Sequence, residues 1–207
     1  MNNKYEQRIY NFEIRAEQNE DEQGIITGRP IVYNSKTDLG YFDEVIEMGA
    51  LNGAGLKDVR FLVNHDTSMI PLARSRNNNA NSTMQLTVDD KGMGIRVNLD
   101  VKNNSVARNL YSAIERGDIS GMSFMFRIDD EEWTELESDH PTRHVRKISD
   151  VVEVSACTFP AYDDTTISTR NKEALDSAKL ALESARRSLD SDEIELAKAK
   201  ALFFTKI

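Results

Sequence analysis

The chain has 207 residues, with 26 Lys and Arg against 35 Asp and Glu for a net charge of −9. That length suits one domain with a sizeable core plus an appendage, because domains usually run about 100–200 residues. The acidic balance argues against a phosphate-binding surface, and local basic spots such as Arg74 and Arg76 are too small to reverse it, so no nucleic-acid partner is expected.

The N-terminal stretch MNNKYEQRIYNFEIRAEQ lacks the apolar core of a signal peptide. No apolar run approaches the ~20 residues needed to span a bilayer, so a cytoplasmic chain without a membrane partner is expected. Tyr10, Phe12 and Ile14 alternate with Asn11, Glu13 and Arg15 as a half-buried strand, and the acidic EQNEDEQG that follows reads as a turn. IITGRPIVYN is a second strand, in which Pro30 marks an edge or a bulge. STMQLTVDDKGMGIRVNLDV predicts a hairpin, with Met84, Leu86 and Val88 on one arm and Ile95, Val97, Leu99 and Val101 on the other. Asp90, Lys91 and Gly92 supply its turn.

NNSVARNLYSAIERGD predicts a helix whose apolar face holds Val106, Leu110, Ala113 and Ile114, opened by an Asn or Ser cap and closed at Gly117. RGDISGMSFMFRIDD then reads as a strand with Met122, Phe124, Phe126 and Ile128 on one face and Ser123, Met125 and Arg127 on the other. The chain turns through ESDHPTR and returns as HVRKISDVVEVSACTF. Here Val152, Val154 and Ala156 form one face, leaving Glu153 with Ser155 and Cys157 on the other. The region from about 7 to 168 is therefore mostly strand. The fold class expected is α+β, predominantly β: a closed or nearly closed β-barrel with surrounding helices, since closure disposes of many strand edges.

From Asn171 onward Gly and Pro are absent, and Leu175, Leu182, Leu189, Leu196 and Phe203 recur every seven residues. Residues 1–170 thus form the main domain, and 171–207 a helical tail with a heptad stripe. Seven basic and seven acidic residues balance within that tail, so the net negative charge lies in the main domain. Asp192 interrupts the companion stripe of Ala178, Ala185 and Ala199, and SLDSDE is a candidate break. Two roles stay open for the tail: docking on its own domain, or pairing with a partner or a second copy as a coiled coil.

Chemistry must come from few residues, because only three His and one Cys are present. His65 ends the apolar run RFLVNHDTS and precedes turn formers, which places it at a strand end. His140 lies in a polar loop and His144 begins a strand. Ser catalysis needs a His to take its proton and a third group to fix the His tautomer. Ser123 and Glu153 both point away from the more apolar faces of their strands, which is compatible with one shared site. Cys157 forms no internal disulfide, and no Cys/His cluster has zinc spacing, so neither metal nor cofactor is expected.

LVNHD at 62–66, SGMSFMF at 120–126 and DVVEVSACTFPAYDDT at 150–165 together resemble the three blocks of the tailed-phage prohead maturation protease family, a relative of the herpesvirus assemblin proteases. EMGAL at 47–51 resembles a further element upstream of the His, and the likeness spans about residues 25–168. It implies a serine endopeptidase that cleaves scaffold and major capsid protein, and itself, inside an assembling prohead in the host cytoplasm. By the same resemblance Ser123 is the nucleophile, His65 the general base and Glu153 the third member, with His144 as the alternative. The herpesvirus relatives place a second His where EVSAC aligns. Two positions depart from the pattern: Met125 stands where Gly is frequent, and Ala73 replaces a Gly in PLARS. Substrate partners would be the capsid or scaffold proteins, with a homodimer or coiled coil through 171–207 as a further association. Two competing readings are a non-catalytic assembly or scaffold protein with the same fold, and an enzyme using Cys157 as nucleophile.

Overall fold

The computed structural model describes residues 5–10, 14–17, 24–158, 176, 179–191 and 194–195. In chain order its elements are β1 (Glu6–Tyr10), β2 (Ile14–Glu17), β3 (Gly24–Val32), β4 (Lys36–Asp38), β5 (Asp43–Ile46), β6 (Asp58–Val63), β7 (Ala73–Arg76), β8 (Met84–Asp89) and β9 (Gly92–Leu99). Then come α1 (Ser105–Glu115), β10 (Gly121–Thr134), β11 (Thr142–Cys157) and a further helix, α2, over 179–191. The chain is thus predominantly β, as expected.

The strands pair in two sheets. The larger runs β1-β10-β11-β5-β4, with β6 bridging β11 and β7; the smaller runs β2-β3-β9-β8. Apolar side chains from both sheets and from α1 share one core, including Ile26, Ile31, Phe61, Met93, Val97, Leu110, Phe124 and Val154. Among the described residues the pairing does not run round a closed barrel.

Two long strands, β10 and β11, form the antiparallel spine of the larger sheet. The other edge of β11 is shared in parallel by two short strands, β5 against Thr142–Val145 and β6 against Glu153–Ala156. That arrangement puts the end of β6, and so the LVNHD turn, beside the C-terminal half of β11.

Local chemistry explains the elements read from sequence. Asn104 caps α1 by accepting the N–H groups of Val106 and Ala107 at 3.0 and 3.2 Å, a contact worth about 1 kcal/mol. Gly117 leaves the helix at φ +78°, the left-handed conformation that Gly adopts at least cost. The buried stripe is Ala107, Leu110 and Ile114, whereas Val106 is 42% exposed. Leu110 and Ile114 thus face the core as expected, while Ala107 takes the place expected for Val106. In the hairpin, Gly92 is required where β9 meets β3: a Cβ there would lie 2.0 Å from the Ile31 carbonyl oxygen. Val88 is exposed, and Val101 falls in the turn after β9. The register between β3 and β9 slips between Gly28 and Ile31, placing the Pro30 irregularity inside the strand.

Tyr10 and Ile14 belong to two strands in different sheets, not to one; Phe12 and the acidic turn lie outside the described residues. α2 rests on the strand-rich body of the chain. Leu182 packs with Phe42, Arg186 donates to the carbonyls of Leu136 and Ser138 at 3.0 and 2.8 Å, and the Lys179 ammonium lies 3.7 Å from the Tyr41 ring centre. One member of the heptad stripe is therefore engaged within the chain. Leu175, Leu196 and Phe203 lie outside the described residues. No helix among the described residues is long and apolar enough to cross a membrane.

Candidate active site

The register of the spine places Ser123 directly opposite Ser155, and Met125 opposite Glu153. Cross-strand partners share a face of an antiparallel pair, so all four side chains lie on one side of the sheet. A β-bulge follows: Met125 pairs with Glu153 and Phe126 with Val151, so Val152 is the extra residue. The bulge restores apolar residues to the core face beyond the site without moving Glu153 off its own face.

β6 delivers the imidazole. Its last residue, Val63, pairs with Ala156, after which Asn64 and His65 both take the left-handed conformation at φ +51° and +57°. Non-Gly residues pay for that conformation, and two in succession require tethers. The tethers are present: Asn64 N–H donates to the Ala156 carbonyl at 3.0 Å, its side chain exchanges hydrogen bonds with Thr158 at 2.9 Å each way, and Asp66 N–H donates to the Val63 carbonyl at 3.0 Å. His65 N–H donates to Ser155 Oγ at 3.1 Å, which holds the ring over the β10–β11 pair.

The result is a continuous chain of polar contacts. His65 Nδ1 meets Glu153 Oε1 and His65 Nε2 meets Ser123 Oγ, both as short hydrogen bonds. Ser155 Oγ donates to the second Glu153 oxygen, Oε2, at 2.7 Å. Ser123 and Ser155 are fully buried, and Glu153 and His65 nearly so. Ser123 Oγ also lies 2.5 Å from the backbone carbonyl oxygen of Arg8, on β1, which pairs along the outer edge of β10.

The structure therefore brings Ser123, His65 and Glu153 together and sends the other histidines elsewhere. His144 lies beside Glu47 at 3.2 Å and Thr134 Oγ1 at 3.2 Å, near the opposite end of β11. It stands nine positions before Glu153 along the strand, roughly 30 Å away. His140 Nε2 lies 3.2 Å from Asp43 Oδ1 in its loop. Cys157 is buried next to the site, where burial first and the Glu153 charge second push its thiol up to about 12, so it is protonated near neutrality. Sequence alone does not single out Ser155, whose one signal is parity, two residues from Glu153 on the same face.

A Ser hydroxyl, an imidazole and a carboxylate in this order can carry out acyl transfer. The comparisons agree with that chemistry. The model of the family described as caudovirus prohead serine protease matches residues 10–179. The prohead protease of Enterobacteria phage HK97 is 29% identical over 148 residues, which cover 70% of this chain and 59% of that protein. The chain thus spans somewhat over half the length of that relative. No solved structure matches it. With a match running through both long strands and the His65 turn, the chain belongs to the caudovirus prohead serine protease family.

Proposed function

We propose that the chain is a serine endopeptidase of prohead maturation, in which Ser123 is the nucleophile, His65 the general base and Glu153 the carboxylate that orients the imidazole. The observation that carries this reading is the bridge that His65 forms between Glu153 and Ser123. Ser123 gives its proton to His65 Nε2 while Oγ attacks the substrate carbonyl carbon, and the carbonyl π pair moves onto oxygen. Glu153 accepts the Nδ1 proton in a hydrogen bond and balances the imidazolium charge. The C–N bond then breaks as Nε2 returns its proton to the leaving amine. Water repeats the cycle on the acyl-enzyme, freeing Ser123 and a carboxylic acid.

The substrates in this reading are the scaffold and the major capsid protein, together with the chain itself, inside the prohead in the host cytoplasm. A protease domain over 1–170 whose two sheets approach a nearly closed β-barrel, and a tail over 171–207 that associates with a scaffold or a second copy, complete the proposal. A second reading, a non-catalytic assembly protein with the same fold, is favoured by the complete burial of Ser123.

Co-expression with the capsid and scaffold proteins of the same genome separates the two, with intact masses compared between the wild type and Ser123→Ala. The protease reading expects truncated partners with the wild type and full-length ones with the variant. Identical full-length masses in both would leave the assembly reading.

A further inference from the structure

β1 lies along the outer edge of β10, so that Ile9 is the cross-strand partner of Ser123 and Gln7 that of Met125. Its Arg8 carbonyl oxygen is 2.5 Å from Ser123 Oγ. The hydroxyl has one proton and two claimants, Arg8 O and His65 Nε2. If the proton faces His65, as acyl transfer requires, two oxygen lone pairs face each other across 2.5 Å. If it faces Arg8, the bond to His65 needs a proton on Nε2, and the imidazole then has no lone pair there with which to act as base. The seated strand and a working base exclude one another, and the buried hydroxyl is closed to any peptide.

What keeps β1 in place is a knot of charges. Arg8 donates to both oxygens of Glu44 at 2.6 and 2.7 Å and also bonds Glu6. Arg143 donates to both oxygens of Glu6 at 2.8 and 3.0 Å, to Glu44 at 3.2 Å and to Glu131 at 2.9 Å. Glu6, Arg8, Glu44 and Arg143 are all buried. The described side chains of β1, Glu6 to Arg8, lie outside the apolar core. As an edge strand with β10 as its sheet neighbour, β1 can leave without breaking the pairing of any other strand. Its departure also takes one acid and one base from the knot, so Glu44 and Arg143 keep each other as partners. A cavity of about 720 Å³ beneath α2, walled in part by Glu6, Glu131 and Arg143, reaches the knot from outside.

We propose that β1 is a displaceable inhibitory strand, latched by Glu6 and Arg8 on Arg143 and Glu44, whose Arg8 carbonyl withholds the Ser123 proton from His65 until an extended substrate segment takes its place along β10. This rests on the acyl-transfer reading of the same site and adds its regulation. A peptide strand gains the main-chain hydrogen bonds that β1 gives up, so release and substrate docking are one exchange.

The test ties the strand down reversibly in the full chain, with Gln7→Cys and Met125→Cys at one cross-strand pair. Ser123 reactivity is read by labelling with a fluorophosphonate and by cleavage of co-purified capsid protein. Oxidation is expected to slow labelling at least ~100-fold relative to the same protein after reduction, since closure removes the competent population. Equal rates in the oxidised and reduced forms would overturn the inhibitory role while leaving the protease reading intact. Absence of labelling and cleavage in every form, wild type included, would overturn both. Arg8→Glu, which brings a fourth carboxylate to Glu6, Glu44 and Glu131 around Arg143, tests the latch separately. Faster labelling than wild type is expected, and an unchanged rate in a variant that retains the native circular-dichroism spectrum would remove the charges from the proposal.

Discussion

Ser155 Oγ donates to Glu153 Oε2 at 2.7 Å and so locks the carboxylate whose other oxygen faces His65. The same hydroxyl accepts the His65 main-chain N–H at 3.1 Å, so one buried side chain positions both the base and its orienting partner. Hydrogen bonds to charged groups contribute about 1.5–3 kcal/mol. Ser155→Ala is therefore expected to lower kcat about 10- to 100-fold with KM little changed, and Ser155→Thr, which keeps a hydroxyl, to recover part of the loss. A loss confined to KM in a folded Ser155→Ala protein would contradict a positioning role.

Glu153→Gln preserves volume and removes the charge that balances the imidazolium. By analogy with triads of this kind, turnover should fall roughly 10⁴-fold, against on the order of 10⁶ for Ser123→Ala or His65→Ala. Among the described residues the polar partners of His144 are Glu47 and Thr134, far from Ser123, so His144→Gln should leave cleavage unchanged. Steady-state cleavage of a capsid-derived peptide measures all four variants side by side. A larger loss from His144→Gln than from Glu153→Gln would reverse the assignment of the third member.

Those expectations rest on features of unequal legibility. The hairpin, α1 and the β10–β11 pair were readable because alternation and turn chemistry are local. Ser123 and Glu153 could be given faces by parity, but their meeting depends on register, with Ser123 opposite Ser155 and a bulge at Val152. The parallel pairing of β6 on β11, which brings His65 in, leaves no local mark because the partners are about 90 residues apart. Periodicity also misled at Tyr10, Phe12 and Ile14, where an even alternation hides a passage from one sheet to the other. The charge knot was invisible for the same reason as the parallel pairing: Arg143 and Glu6 are ordinary polar residues until the fold joins them across 137 positions.

That knot has an acid signature. Burial alone would raise the Glu6 carboxyl, but the charges and hydrogen bonds of Arg8 and Arg143 outweigh it and hold Glu6 at about 2, against 4.5 for a free side chain. The unfolded chain therefore binds this proton at higher pH than the folded one does. Its stabilising contribution is complete above about pH 4.5 and is lost progressively as pH falls towards 2, in total on the order of 3 kcal/mol. Urea unfolding at pH 6 and pH 3 should show about 2 kcal/mol of that loss in the wild type and a smaller pH-dependent loss in Glu6→Gln. Equal pH dependence in the two proteins would mean that the Glu6 carboxylate does not carry it.

Leu182 is buried against Phe42, and the Arg186 contacts with Leu136 and Ser138 lie one turn further along α2. Leu→Ala at buried contacts of this kind costs about 2–5 kcal/mol. Leu182→Ala should therefore loosen α2 from the domain, read as faster amide exchange over 179–191, without change in the exchange of β10 and β11. Protection that is unaltered by the substitution would show that the helix is held by something other than this contact.

Cys157 pairs across the spine with Gly121, two residues from Ser123, and it offers a last check on which side chain does the chemistry. With the thiol pushed up to about 12, only about one molecule in 10⁴ carries a thiolate at pH 8, whereas roughly a quarter of a free Cys is ionised there. Iodoacetamide should leave the native protein unmodified under conditions that alkylate it fully in urea, and cleavage should survive the treatment. Stoichiometric alkylation of the folded chain with parallel loss of cleavage would instead point to sulfur as the nucleophile. The same inertness protects the Gln7→Cys, Met125→Cys experiment from exchange with the native thiol, because attack on a disulfide needs the thiolate and an open path to it.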